Sequence, residues 1–118
     1  MLIKILKSKL HRVRVTETKL HYPGSIMIDS KLMKAAGILP YEVVLVADLT
    51  NGNRLETYAI AGKAGSGDVT VLGAAAHLVK TADLVIIFSF AWCTPKEAAK
   101  IKPKVVLLDE NNKIRKSK

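Results

Sequence analysis

The close spacing of strand-like segments is the feature that most restricts the fold of this 118-residue chain. Three of these segments, residues 43–49, 54–61 and 69–72, follow one another with only short turn-forming stretches between them. A crossover between parallel strands takes about a dozen or more residues and is usually a helix. Because the gaps are too short for such helices, the sequence predicts a small, mainly β barrel.

Apolar residues that alternate or run continuously predict further strands. Between the segments at 43–49 and 54–61, Asn51-Gly52 predicts a tight hairpin turn of the primed type, with positive φ at both residues. The total is then six or seven short strands, of which those not yet mentioned are expected at residues 10–16, 26–28, 83–90 and 105–108.

Two short helices are expected among these strands. Asp29 or Ser30 can cap a helix over residues 31–36, and Gly37 is placed to close it. Further along, residues 94–97 read Thr-Pro-Lys-Glu, a capping box with proline at the first helical position. We expect this second helix to run to about Ile101, before Pro103 ends it.

The composition restricts the core and the partners. Hydrophobic residues make up 49% of the chain and aromatic residues only 5%, so Val, Ile, Leu and Ala must fill the core. The net charge of +9 favours anionic partners, which include nucleic acid, acidic lipid and small acids. The few aromatic residues argue against stacking on bases, so a nucleic-acid-binding barrel is kept only as an alternative. Four cations near the C-terminus predict a solvated tail: Lys113, Arg115, Lys116 and Lys118.

The sequence predicts a single-domain cytoplasmic protein. No apolar run reaches the roughly 20 residues that a membrane-spanning helix needs. The first residues carry a charge every two or three positions, unlike a secretory signal peptide. The single cysteine, Cys93, makes no internal disulfide and is expected to be a small buried side chain.

Most familiar catalytic patterns are missing. There is no CxxC, HExxH, P-loop or GxSxG segment. His11, His21 and His77 are scattered without ligand spacing, so no metal site is expected and each is interpreted as an ordinary structural residue.

The segment Tyr22-Pro23-Gly24-Ser25, between two predicted strands, allows two interpretations. In the simpler one it is a β-turn, in which glycine supplies unusual dihedrals. In the other it is a site of self-cleavage. The Ser25 hydroxyl can attack the Gly24 carbonyl, which lacks a neighbouring side chain, and the resulting ester can be eliminated to leave a pyruvoyl group and ammonia. Gly24 also tolerates backbone strain.

Five motifs follow one another along the chain: KLHRVRVT (9–16), LHYPGSIMID (20–29), AAGILPYE (35–42), TNGNRLETYAI (50–60) and GAAAHL (73–78). In these motifs, their order and their spacing, the chain resembles the aspartate 1-decarboxylase family, small pyruvoyl enzymes that make β-alanine for pantothenate and coenzyme A. The resemblance extends from about Leu6 to Asp109. It implies a six-stranded double-psi β-barrel with short capping helices, assembled as a homotetramer with active sites between subunits.

The family's chemistry implies roles for particular residues. A zymogen cut between Gly24 and Ser25 would give chains of residues 1–24 and 25–118, and Ser25 would become the pyruvoyl cofactor. The resemblance implies a Schiff base between its ketone and L-aspartate, loss of CO2, and release of β-alanine. Tyr58 matches the family's proton donor, and a phenol is protonated at neutral pH.

Other matched positions are implied to bind substrate or to assist cleavage. L-Aspartate carries two carboxylates, and Lys9 and Arg54 match the family's cations, although surface cations are the simpler interpretation of the sequence alone. Thr57 is implied in both cleavage and substrate binding. The remaining substrate-binding positions are the small residues Gly73, Ala74 and Ala75. Tyr22 and His11 match positions near the site, and we assign them no role.

Two positions depart from the family pattern. Leu72 stands where the family usually has an asparagine that can form a hydrogen bond near the cleavage site, so slower or incomplete processing is expected. Pro23 stands where an acidic residue is common and stiffens the approach to the scissile bond. An uncleaved family member remains an alternative, and the need for an accessory processing factor is open.

Overall fold

One sheet of eight strands makes up most of the structure, a computed structural model that describes residues 1–115. Along the sheet the order is β2-β6-β3-β5-β4-β7-β1-β8. Lys116 and Lys118 of the predicted basic tail lie outside the described residues. The strands are β1 (Ile3–Arg14), β2 (Glu17–Lys19), β3 (Ser25–Asp29), β4 (Val43–Asp48), β5 (Arg54–Gly62), β6 (Val69–Leu72), β7 (Leu84–Cys93) and β8 (Lys104–Leu107).

The sheet curls because its two ends are joined by the chain itself. β2 is at one end of the strand order and β1 is next to the other, yet only Val15 and Thr16 separate them in sequence. The Thr16 amide donates to the Val69 carbonyl at 2.8 Å, which ties this link to β6. The mainly β fold with short helices is therefore confirmed. Six central strands carry it, and the short β2 and β8 extend it at the two ends.

A parallel pairing of β3 and β5 positions the segment of interest. The chain leaves β3 through helix α1 (Ser30–Ala36), crosses to β4 and returns in β5. β5 then runs parallel to β3, with Ile26 opposite Ala59. On its other side β3 is antiparallel to β6. β3 is thus held by hydrogen bonds along both edges.

The core is aliphatic, as the composition predicts. Side chains from one face of each strand fill the barrel, and their neighbours along the strand point outward. Within residues 1–115, no helix is long and apolar enough to cross a membrane. The fully buried strand residues include Leu10, Val13, Ile26, Ile28, Val44, Val46, Val69, Val71, Val85 and Ile87.

Both predicted helices form with their predicted caps. Asp29 caps α1, and Gly37 ends it with φ at +69°. The capping box at Thr94 opens α2 (Pro95–Ala98), which ends before the predicted Ile101. Two elements were not predicted: the short β2, and a short 3₁₀ helix, Gly73–His77, after β6. β1 also starts at Ile3, well before the predicted residue 10.

The Asn51-Gly52 turn is longer than predicted. Only Gly52 has positive φ, at +79°, so the prediction for Asn51 is wrong. The Asp48 amide bonds to the Asn53 carbonyl at 2.8 Å, which leaves four residues in the loop. The physical reason lies in two side chains: the Asp48 carboxylate accepts from the Thr50 amide at 2.7 Å, and the Asn51 side-chain oxygen accepts from Asn53 at 2.8 Å. These local bonds stabilise a wider turn.

Asp29 joins α1 to the loop before β6. Its carboxylate accepts hydrogen bonds from the amides of Lys31, Gly65 and Gly67, each at 2.9 Å. Burial opposes ionisation of this carboxyl, but the bonds from Gly67, Gly65 and Lys31, helped by the Lys113 cation, outweigh it and lower its pKa. The ionised form is therefore the one that stabilises the fold.

We predict that Asp29→Ala destabilises the protein by about 3 kcal/mol at neutral pH, because three amides lose a charged acceptor. Since the folded-state pKa is lowered, the contribution is full above the unfolded-state pKa and disappears as pH falls through the folded-state value. Urea unfolding at matched protein concentration should show this difference at pH 7 and a smaller one at acid pH. The control is Asp68→Ala, an exposed neighbour in the same loop. Equal effects of the two variants would contradict the prediction.

Candidate active site

The predicted scissile bond lies where an exposed turn meets a buried strand. Tyr22, Pro23 and Gly24 are exposed, whereas Ser25, the first residue of β3, is only 3% exposed. Ser25 pairs with Leu72 of β6. Gly24 is not among the glycines with positive φ in residues 1–115, so the left-handed dihedrals that glycine could supply to a β-turn are not found there.

β5 runs directly beside this bond. Ile26 is opposite Ala59, so extending the parallel register back puts Ser25 beside Tyr58 and Gly24 beside Thr57. A cavity of about 280 Å³ opens next to Gly24. The structure thus brings four of the predicted residues together around one space, because its lining comprises Gly24, Leu55, Glu56, Thr57, Ala74, Ala75 and Leu78.

Thr57 and Tyr58 face opposite sides of β5, because successive side chains of a strand alternate. Thr57 faces the cavity at the end of the barrel. Tyr58 is on the outer face with Arg54, and its ring centroid is 6.3 Å from that of Tyr41. Ser25 pairs with that outer face as well, so the predicted proton donor and the predicted cofactor residue are neighbours.

The two predicted substrate cations meet at one aromatic ring. Lys9 Nζ is 6.0 Å and Arg54 Cζ is 5.9 Å from the centroid of the Phe88 ring. Phe88 of β7 lies opposite Lys9 of β1 and Leu45 of β4. Neither cation lines the cavity at Gly24. Phe88 was not singled out from the sequence, because residues 83–90 are almost continuously apolar and do not reveal which side chains face outward.

Gly73 lies close against the segment before the predicted scissile bond. Its φ is +78°. A Cβ atom added to Gly73 would lie 2.6 Å from the Gly24 Cα and 2.7 Å from the Tyr22 carbonyl oxygen. The predicted small residues at 73–75 therefore border both sides of Gly24: Gly73 at its backbone, and Ala74 and Ala75 across the cavity.

Glu42 fixes the strand region around Tyr58. Its carboxylate accepts hydrogen bonds from Lys7 Nζ at 3.0 Å, from the Leu39 amide at 3.0 Å and from the Ser89 hydroxyl. Burial opposes ionisation, but the bonds from Ser89, Leu39 and Lys7 outweigh it and lower the Glu42 pKa. The Ala59 amide donates to the Glu42 carbonyl at 2.9 Å, so this anchored residue holds the strand next to Tyr58.

His11 and Tyr22 differ in their surroundings. The Nδ1 atom of His11 is buried without a hydrogen-bond partner among the described residues. Burial, with Lys9 and Arg12 nearby, lowers the His11 pKa and favours the neutral imidazole. Tyr22 is 52% exposed. Within residues 1–115, no three His, Cys, Asp or Glu side chains are grouped so that they could hold a metal ion.

The sequence matches that of a known protein family along the whole described length. The family model for aspartate decarboxylase matches residues 1–115. The chain belongs to the aspartate decarboxylase family.

Three curated relatives of this aspartate decarboxylase family member are each called aspartate 1-decarboxylase. The relative from Caldicellulosiruptor saccharolyticus is 53% identical over 114 residues, which is 97% of this chain and 89% of the relative. The relative from Salinibacter ruber is 50% identical, over 98% of this chain and 80% of the relative. The relative from Syntrophobacter fumaroxidans is 55% identical, over 92% of this chain and 88% of the relative.

In this family member Leu72 takes the position directly across from Ser25. The side chains of an antiparallel pair share one face of the sheet, so the leucine lies beside the serine hydroxyl. A leucine side chain has no donor or acceptor. The predicted departure from the family pattern therefore falls at the residue paired with Ser25, the predicted attacking group.

Proposed function

We propose that this chain converts L-aspartate to β-alanine and CO2 with a pyruvoyl group made from its own Ser25. Membership of the aspartate decarboxylase family makes it a carboxy-lyase, and β-alanine is a precursor of pantothenate. The observation that carries the proposal is local. A buried serine follows a glycine that lines the same cavity as Thr57, and this arrangement supports self-cleavage.

Cleavage begins with the Ser25 hydroxyl. Its oxygen attacks the Gly24 carbonyl carbon, the peptide C–N bond breaks, and the acyl group passes from nitrogen to oxygen as an ester. Removal of the Ser25 Cα proton then expels the Gly24 carboxylate and leaves a double bond. Addition of water and loss of ammonia complete the pyruvoyl group. The residues fit this chemistry, because the nucleophile and the acceptor are adjacent and Ser25 is shielded from bulk water.

Thr57 assists the first step. The attack places negative charge on the Gly24 carbonyl oxygen, and a fixed hydroxyl donor at that point stabilises it. Its place in the cavity beside Gly24 supports this role. Leu72, across from Ser25, offers no such bond, so processing is slow. An accessory factor would then serve to accelerate the cleavage.

Substrate binding draws on cations from a neighbouring subunit. Ser25 is beside Tyr58, whereas Arg54 is four residues along β5, about 13 Å away. Both cations meet at Phe88, and neither lines the cavity at Gly24, which favours substrate contacts from the cations of a neighbouring chain. The outer face also carries exposed apolar side chains, with Tyr41 at 75% and Val43 at 59% exposure, which favour burial between subunits. Both features support a homotetramer with composite sites.

Within such a site the residues divide the work. Arg54 holds one substrate carboxylate through parallel hydrogen bonds, and Lys9 acts as a point charge. The small Gly73, Ala74 and Ala75 leave room for the substrate beside the backbone. Once formed at Ser25, the pyruvoyl group would supply the electron sink for loss of the α-carboxylate. Tyr58 then donates a proton to the substrate carbon, as its position beside Ser25 supports.

The first test is intact mass spectrometry of the denatured protein after prolonged warming. We expect fragments of residues 1–24 and 25–118, the larger one lighter than a serine-started chain by the elements of ammonia. Ser25→Ala should give one uncut mass, and the control Ser30→Ala should be cut normally. A single full-length mass for the unchanged protein would contradict the proposal, and a large fragment that keeps Ser25 would contradict its cofactor.

Thr57→Val should slow self-cleavage by about 10²- to 10³-fold, because the oxyanion loses a fixed donor. The rate is followed as the fraction of intact chain against time. Thr50→Val is the matched control, because only the backbone amide of Thr50 makes a hydrogen bond in the turn. Equal rates for the two variants would remove Thr57 from the mechanism.

Arg54→Lys should lower kcat/KM for L-aspartate by about 10- to 100-fold, since a bidentate charged contact is replaced by a single one. Rates are divided by the pyruvoyl content from mass spectrometry, and Arg115→Lys is the control. Mixed assemblies of Ser25→Ala and Arg54→Met chains should regain activity, because intact sites form between unlike chains. Inactive mixed assemblies would contradict the composite site.

A further inference from the structure

Gly73 makes the closest backbone approach of any glycine in residues 1–115. A Cβ atom there would meet the Gly24 Cα at 2.6 Å, the Tyr22 carbonyl oxygen at 2.7 Å and the Gly24 nitrogen at 2.8 Å. Carbon atoms in ordinary van der Waals contact are about 3.5 to 4 Å apart. All three contacts are main-chain atoms, which cannot turn away as the end of a side chain can. No other residue type fits at position 73 without moving the segment before Ser25.

The conformation of Gly73 adds a second restriction. Its φ of +78° is one that residues with a side chain rarely adopt. Gly24 is different, because it lacks positive φ and a Cβ added to it would meet nothing within 4 Å. The position that accepts only glycine is therefore Gly73, and not Gly24, whose peptide bond we propose is cut.

Leu72, the last residue of β6, and Gly73, the next residue, lie against opposite sides of the scissile bond. Leu72 pairs with Ser25 on the carboxyl side of that bond. Gly73 touches Gly24 on its amino side. The Ser25 hydroxyl and the Gly24 carbonyl are thus positioned by neighbouring points on the same backbone.

We propose that Gly73 is a positioning residue for self-cleavage, whose bare backbone lets Gly24 come close enough for its carbonyl carbon to be attacked by Ser25. This role rests on the proposed function and is separate from lining the substrate pocket. A methyl group at Gly73 must push Gly24 away by about 1 Å to reach normal contact. A misplacement of that size slows a well-oriented reaction by about 10²-fold.

The test compares three glycine-to-alanine variants by intact mass spectrometry over time. Gly73→Ala carries both positive φ and the clash with Gly24. Gly67→Ala is the matched control, with φ at +73° and a Cβ 2.9 Å from the Asn111 carbonyl oxygen, far along the chain from the bond that is cut. Gly52→Ala, with φ at +79° and open space, reports the effect of φ alone. We expect cleavage about 10²-fold slower for Gly73→Ala and within a few-fold of the unchanged chain for the controls.

Hydroxylamine separates a positioning role from a later defect. It cuts an ester but leaves the Gly24-Ser25 peptide bond intact, so a chain stopped after the acyl shift releases residues 1–24. If Gly73 positions the attack, hydroxylamine should not increase the slow release of residues 1–24 from Gly73→Ala. An increase, or cleavage at the rate of Gly67→Ala, would overturn the inference. Failure of the unchanged chain to cleave would instead overturn the proposed function and this role with it.

A second variant tests the same inference if circular dichroism and native size show that Gly73→Ala folds poorly. One glycine inserted between Tyr22 and Pro23 lies in an exposed turn, where insertions are tolerated. It leaves Gly24-Ser25 intact but shifts Gly24 away from Gly73. We expect the folded insertion variant to cleave at least 10-fold more slowly than the unchanged chain. Cleavage at the unchanged rate would show that close contact with Gly73 is unnecessary.

Discussion

The placement of β3 between β5 and β6 is the constraint on which the site depends. Ile26 and Ile28 are fully buried, and hydrogen bonds run along both edges of the strand. A strand held in this way cannot shift its register without exposing its apolar side chains. Ser25 is therefore fixed, while the turn before it remains exposed. The boundary between the fixed strand and the turn falls on the bond that we propose is cut.

Features set by neighbouring residues were predictable from the sequence. The caps of α1 at Asp29 and Gly37, and the capping box at Thr94, depend on residues a few positions apart, and all three form. The prediction for the turn at Asn51 was wrong because two side chains form hydrogen bonds with the backbone of the loop. The preference of the Asn-Gly pair for a tight turn takes no account of such bonds. The early part of β1 and the short β2 form by pairing with strands distant in sequence. Their own sequences are rich in charged residues and do not show a strand pattern, so they were not predicted.

The same distinction applies to the site. Family resemblance named Gly24, Thr57, Ala74 and Ala75, and the structure brings them to one cavity. The local pattern drew attention to the conformational freedom of Gly24, whereas the residue that must be glycine for lack of space is Gly73, because only the folded chain brings the end of β6 against the turn. Phe88 and Glu42 were missed for a related reason: their contacts join residues from different strands, and nothing near them in sequence marks these roles.

The length of β1 bears on what happens after the cut. Residues 1–24 would include all twelve residues of β1, which pair with β7 along most of their length and with β8 on the other edge. The smaller fragment would thus remain as a strand threaded through the barrel, held without a covalent bond. Unfolding would separate two molecules that must then find each other again, so recovery would depend on concentration. The mature protein would be a form that the chain can reach by folding once, as a precursor, but not easily a second time.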